Sequence, residues 1–241
     1  MRLKRTERIY IFITLNISFL IDMAAYMGGK IKDNTVYHFL TTEFDKMIPF
    51  IPETIVIYIG SFLFWLIIYY LIVLGRTEDT LYIYDKDSKE TGGEERDRFF
   101  CADILGKIVC FVIFIVFPTA IIRPETGTGN MFETAVTLAY QIDTPTNLMP
   151  SLHCFVSWMC WIGIRKRKDL PGVLRYSALV IALLIFLSTL TVKQHAIADV
   201  IAGALLAEIC YLLAGFERIR VLYSFPVKKL ISGLCRSKEI A

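Results

Sequence analysis

The sequence predicts an all-α, polytopic membrane protein: a bundle of six transmembrane helices with both termini on the cytoplasmic side. Three observations carry this. Of the 241 residues, 55% are hydrophobic, and the mean hydropathy of +0.54 is too apolar for a soluble domain of this size. The apolar residues come in runs close to the roughly 20 needed to cross the hydrocarbon. Lys and Arg cluster at alternate ends of those runs, as they do where short loops face the cytoplasm.

The elements follow in order. Arg2, Lys4, Arg5 and Arg8 precede a first span over 9–27. A basic start before an apolar run is also a signal-peptide pattern, and Ala24-Ala25 is a weak cleavage site. An uncleaved helix is expected, because no clear small-x-small site follows. Residues 37–53 mix apolar residues with Glu43, Asp45 and Lys46, which suits an outer interfacial helix ended by Pro49 and serving as an anchor. A second span covers 54–74. Residues 76–98 carry both charge signs and Gly92-Gly93, and read as a solvated cytoplasmic loop. A third span covers 104–122, and the connection 123–149 has one basic residue, Arg123. The fourth span, 148–164, is short and is closed by Arg165, Lys166, Arg167 and Lys168. The fifth, 176–192, turns at Lys193 into the sixth, 196–216, after which the tail is basic again from Arg218 to Lys238. Residues 123–149 and the turn at Lys193 therefore fall outside, in what is expected to be the plasma membrane. With no internal repeat or low-complexity tract, 1–241 reads as one domain.

Ionisable residues inside spans are costly and need a reason. Lys107, four residues after Asp103, suits an ion pair whose ammonium snorkels toward the surface. Asp22 and Glu208 suit interhelical hydrogen bonds, and His38 reads as an exposed loop residue without a partner. The six cysteines show neither metal spacing nor a paired framework, and none is assigned chemistry.

Two of the three histidines stand apart. His195 and Asp199 are one helical turn apart on one face, where a carboxylate can fix the imidazole tautomer and stabilise its cation. Pro150-Ser151-Leu152-His153 opens another apolar segment at the same membrane face, with Ser151 also suited to be a helix N-cap.

Together with Arg123-Pro124, these residues resemble the type 2 phosphatidic acid phosphatase superfamily, whose motifs run Lys-x6-Arg-Pro, Pro-Ser-Gly-His and Ser-Arg-x5-His-x3-Asp. Here the order is kept as Arg123-Pro124, Pro150-Ser151-Leu152-His153 and Ser188-x6-His195-x3-Asp199. Val116 stands where the first lysine belongs, Leu152 replaces the glycine and Thr189 replaces the arginine. The pattern is closest in style to the branch containing inositol phosphorylceramide synthases, so phosphotransfer stands beside hydrolysis.

The resemblance implies a phosphohistidine mechanism on a lipid phosphate or diphosphate. His195 is the nucleophile, Asp199 orients it and His153 is the general acid. Arg123, Ser151 and Lys193 hold the phosphate oxygens, Lys193 standing in for a missing motif cation. No metal or other cofactor is implied. Two alternatives remain: a zinc enzyme using the two histidines and Asp199, and a non-catalytic transporter or scaffold. Nucleic acid is not an expected partner, since the basic residues flank spans. Oligomeric state is not indicated.

Overall fold

The computed structural model describes residues 5–28, 36–74, 91–127 and 129–236. The chain runs α1 (Arg5–Gly28), β1 (His38–Phe39), α2 (Glu43–Met47), a 3-10 turn (Pro52–Thr54), α3 (Ile55–Leu74), α4 (Thr91–Val116), β2 (Thr119–Ala120), α5 (Met131–Ile142), α6 (Leu152–Arg165), α7 (Gly172–Thr191), α8 (Ile197–Leu213) and α9 (Glu217–Arg236). Six of these helices, α1, α3, α4, α6, α7 and α8, fall on the expected apolar runs. Among the described residues, 52–73, 95–116 and 172–191 are each long and apolar enough to cross a membrane.

The helices show what solvent they were built for. On α7 the buried residues Ala178, Ala182, Ile185 and Thr189 recur at helical spacing, while Val180, Ile181, Leu184 and Leu187 on the other side are exposed. A helix apolar all round, with one face still uncovered after packing, belongs in lipid. α6 is the hub and packs on α3, α4, α7 and α8. Its exclusion from lipid explains why eight of its residues are buried.

Between α1, α3 and α4 lies a buried ionic network. The Lys107 ammonium is 2.9 Å from Asp22 Oδ2 and 3.1 Å from Asp103 Oδ2, and it donates to Ser18 Oγ at 2.6 Å. Tyr69 donates to Asp103 Oδ1 at 2.6 Å. The expected ion pair is present, but Lys107 does not snorkel: it is 2% exposed, because two carboxylates reach it inside the bundle. Glu208 is likewise interhelical, accepting from Trp158 and from both terminal nitrogens of Arg165.

Several boundaries differ from the sequence reading. α4 begins at Thr91, so 91–98 is helix rather than loop, and burial of Phe99 and Phe100 anchors it; residues 76–90 of that expected loop lie outside the described residues. The same helix stops at Val116 instead of running to 122, since Pro118 disfavours helical backbone at the residue before it. The chain then extends into β2, which pairs in parallel with β1. His38 accordingly has a neighbour, stacking on Phe117 with ring centroids 4.3 Å apart. The fourth helix starts at Leu152, not 148. α8 ends at Leu213 and the chain bends by 91° into α9, a helix where only a basic tail was expected. Its Val221, Leu222 and Phe225 are exposed while Val227 is buried, an amphipathic pattern suited to an interface. The stretch 123–149 contains α5, capped by Asn130, whose side chain accepts from Phe132 N and Glu133 N.

Candidate active site

The two histidine motifs meet because two helix starts touch. Ser151 N–H, at the start of α6, donates to the Asp199 carbonyl in α8 at 3.0 Å. Gly203 permits this approach: a Cβ there would lie 2.6 Å from the Ser151 carbonyl oxygen. The imidazoles of His153 and His195 end with ring centroids 6.2 Å apart.

His195 sits in a tight turn, with Lys193 in left-handed backbone (φ 54). The Thr189 carbonyl accepts from both Gln194 N, at 2.9 Å, and His195 N, at 3.2 Å, so Thr189 shapes the turn where the family motif has a cation. Asp199 Oδ2 accepts from Ala196 N at 2.8 Å and approaches His195 Nδ1 to 3.5 Å. That last distance is a charge contact rather than an aligned hydrogen bond, and Nδ1 has no hydrogen-bond partner among the described residues. With Nδ1 facing the carboxylate, Nε2 is the atom left for chemistry.

Aromatic rings enclose His153. Tyr58 stacks on it at 4.4 Å, Trp65 lies at 5.3 Å and Phe62 meets it edge-on at 5.8 Å. Trp65 is fixed by donating to Ser157 Oγ at 2.9 Å, and Tyr58 by donating to Asp143 Oδ2 at 3.4 Å. His153 Nε2 is buried without a partner among the described residues. Beside it opens a cavity of about 590 Å³ between α1, α3, α5 and α6, its wall mostly apolar, with His153, Tyr58, Asp143 and Asp22 as polar points. An apolar cavity next to an unsatisfied imidazole suits a ligand with an apolar body and one polar end.

Arg123 is placed with the pair. Its guanidinium lies over the Tyr140 ring at 4.5 Å, donates to the Asp143 carbonyl at 2.6 Å, and donates to the side-chain oxygen of Gln194. Burial pushes the Tyr140 phenol up to about 12, so it stays protonated and donates to the Val192 carbonyl at 2.7 Å. Gln194 is 1% exposed, and its amide nitrogen has no partner among the described residues.

Two expected phosphate ligands are engaged elsewhere. The Lys193 ammonium donates to the carbonyls of Asp45 at 2.9 Å and Ile48 at 2.5 Å, because the left-handed turn directs it toward the end of α2. Ser151 is fully buried and its hydroxyl accepts from Cys154 N at 3.3 Å, the N-cap of α6. The segment 37–53, expected as an anchor, braces the turn that carries His195: Asp45 Oδ1 accepts from Ile197 N at 2.6 Å, and Ile51 N donates to the Thr191 carbonyl. Burial alone would raise the Asp45 carboxyl, but hydrogen bonds from Thr42 and Ile197 N–H, with the Lys193 charge, hold it below the usual range.

Sequence reasoning missed Gln194, Tyr58, Tyr140 and Asp143. Gln194 carried a signal, a polar residue between Lys193 and His195; the aromatic residues carried none, since apolar spans are full of such rings. The five cysteines the structure describes as free are all buried. Among the described residues no group of three or more His, Cys, Asp or Glu could hold a metal ion.

The site thus brings a histidine pair, with a carboxylate behind one ring, to two helix starts beside an apolar cavity. The model of the PAP2 superfamily matches residues 94–213, a stretch that includes Arg123, His153, His195 and Asp199. The chain belongs to the PAP2 superfamily, and is thus an integral membrane protein with phosphatase- or phosphotransferase-type activity toward a lipid phosphate. Among curated proteins and among solved structures, nothing matches the chain.

Proposed function

We propose that the protein is a lipid phosphate phosphatase working through a phosphohistidine on His195, as a single membrane-embedded domain. α1, α3, α4, α6, α7 and α8 are its six crossings, both termini are cytoplasmic, and the site faces the outside of the plasma membrane. The observation that carries the chemistry is the pairing of His153 and His195 at 6.2 Å, one backed by Asp199 and the other facing the apolar cavity.

In this mechanism His195 Nε2 attacks phosphorus in line, and the bond to the leaving oxygen breaks. His153 gives that oxygen its proton, while Asp199 stabilises the charge gained by His195. Water, deprotonated by His153, then attacks the phosphohistidine and releases phosphate. Arg123, held by the Asp143 carbonyl and Gln194, and the open amide of Gln194 stabilise the equatorial oxygens. Ser151 and Lys193 contribute by holding the two helix starts and the turn. Phosphotransfer to an alcohol is the second reading, favoured by the loss of two motif cations at Val116 and Thr189; it differs only in what captures the phosphohistidine.

The test is acid-quench trapping with radiolabelled lipid phosphates, following free phosphate and new phosphomonoester of the acceptor with and without alcohol acceptors. His195→Ala should form no phosphoenzyme. His153→Ala should be slowed about 10²–10⁴-fold on a lipid and much less on an aryl phosphate, whose leaving group needs little protonation. A normal phosphoenzyme in His195→Ala sinks the assignment. For orientation, a cysteine at Glu125, exposed beyond β2, should react with an impermeant reagent on intact cells, and one at Lys168, exposed in the connection after α6, should not.

A further inference from the structure

Asp22 lines the same cavity as His153, from the α1 side, and the mechanism above gives it no task. Its Oδ2 is 2.9 Å from the Lys107 ammonium, but its Oδ1 is buried with no partner among the described residues. Lys107 also serves Asp103, so one ammonium is shared by two carboxylates and the group keeps a net negative charge. A carboxylate oxygen shut in an apolar wall without a donor is costly, and a ligand that brings a donor recovers that cost.

We infer that Asp22 is a specificity-determining residue: the preferred substrate is a long-chain phosphate ester whose leaving alcohol carries a hydrogen-bond donor, hydroxyl or ammonium, on the carbons next to the ester oxygen. This rests on the phosphatase reading of the site. With the phosphate between the histidines and the chain along the cavity, the polar carbons of the alcohol pass the carboxylate. An ester or ether oxygen at that point would set acceptor against acceptor in a low-dielectric wall. A free hydroxyl satisfies Oδ1, and an ammonium also answers the residual charge.

The experiment compares kcat/KM in detergent micelles for three lipids of matched chain length: a long-chain 2-amino alcohol 1-phosphate, a monoacyl glycerol phosphate with a free 2-hydroxyl, and the 2-O-methyl ether of the latter. The wild-type protein should favour the two donor-bearing lipids by about 10–100-fold over the ether. Asp22→Ala should bring the three together through loss on the donor-bearing lipids. Asp22→Asn, which keeps the shape and an acceptor, should retain the preference for the hydroxyl and lose any advantage of the ammonium. Equal turnover of all three by wild type, or an unchanged preference in Asp22→Ala, overturns the inference and leaves the phosphatase reading standing. Neither release nor transfer of phosphate from any of them overturns both. Should Asp22→Ala fail to fold, the wild-type ratios and Asp22→Asn still decide.

Discussion

Replacing Gly203 with alanine perturbs the joint between α6 and α8 without touching the side chains of His153, His195 or Asp199. The new Cβ would lie 2.6 Å from the Ser151 carbonyl oxygen, 3.1 Å from Phe155 N and 3.2 Å from Cys154 Cβ. Two of these three are backbone atoms in the first turn of α6, where the Ser151 carbonyl also accepts from Phe155 N at 2.9 Å. No side chain can swing aside, so the helices must part by roughly 1 Å to reach ordinary separation. Overpacking of this kind costs about 1–3 kcal/mol, offset by about 0.5–1 kcal/mol from the better helix propensity of alanine. The melting temperature should therefore fall modestly while activity falls further, about 10²-fold in kcat/KM, because a misplacement near 1 Å is enough to spoil a reacting geometry. Gly60→Ala on α3 is the control, since its Cβ would meet nothing within 4 Å. The measurements are kcat/KM on a lipid phosphate and a melting curve in detergent. A Gly203→Ala protein with wild-type turnover, or an equal loss in Gly60→Ala, refutes the idea that this contact sets the distance between the histidines.

Three further outcomes are expected. Tyr58→Leu removes the ring stacked on His153 and should cut turnover of a lipid phosphate about fivefold, a stacking contribution near 1 kcal/mol, with a smaller loss on an aryl phosphate; equal losses would mean that Tyr58 does not act through the general acid. Lys107→Met leaves Asp103 and Asp22 without their shared cation and should destabilise the bundle by about 3–5 kcal/mol, read as loss of monodisperse protein in detergent, and reduced by the further change Asp103→Asn. Asp45 is held below the usual carboxylate range, so its contribution to stability is full above the unfolded value of about 3.9 and is lost as pH falls through the lower folded value; melting curves across that acid range should show the decline in wild type and lack it in Asp45→Asn.

What the sequence disclosed follows the reach of each physical rule. Runs of apolar residues mark helices because hydrocarbon admits little else, so the six runs were legible; the spacing of His195 and Asp199 foretold their contact, but His195 lies in the turn before α8 and not on a face of it. The ends were less legible, because they depend on local chemistry: Pro118 cut α4 short, and burial of Phe99 and Phe100 extended it backward past charged residues. Lys193 misled for a clear reason. Proximity in sequence placed it two residues from His195, but a left-handed φ at Lys193 itself directs the side chain to the carbonyls of Asp45 and Ile48. Nothing in the sequence records that φ, since lysine seldom adopts it. The cage around His153 was illegible for the opposite reason, as its rings are ordinary residues of a membrane helix until a partner helix brings an imidazole among them.

The lengths of the catalytic helices explain how a charged reaction fits among these walls. α6 has 14 residues and α8 has 17, which at 1.5 Å per residue is about 21 and 26 Å, less than a hydrocarbon core of about 30 Å. Helices of that length leave room within the hydrocarbon thickness for the segments that precede them. The segment 42–54 and α5 pack on the 191–197 turn at those starts, and the cavity between α1, α3, α5 and α6 is mostly apolar. The positive N-terminal end of α8 is already answered by Asp199, accepting from Ala196 N, and by Asp45, accepting from Ile197 N. Attraction for a phosphate dianion therefore falls chiefly on Arg123, held rigid by Tyr140, the Asp143 carbonyl and Gln194. Both terminal nitrogens already donate to the Tyr140, Asp143 and Thr144 carbonyls and to Gln194, so it acts on phosphate as a fixed, pre-oriented positive charge. A site with fewer cations than its family motif is thus consistent with recruiting affinity from the lipid chain, where the cavity supplies what charge does not.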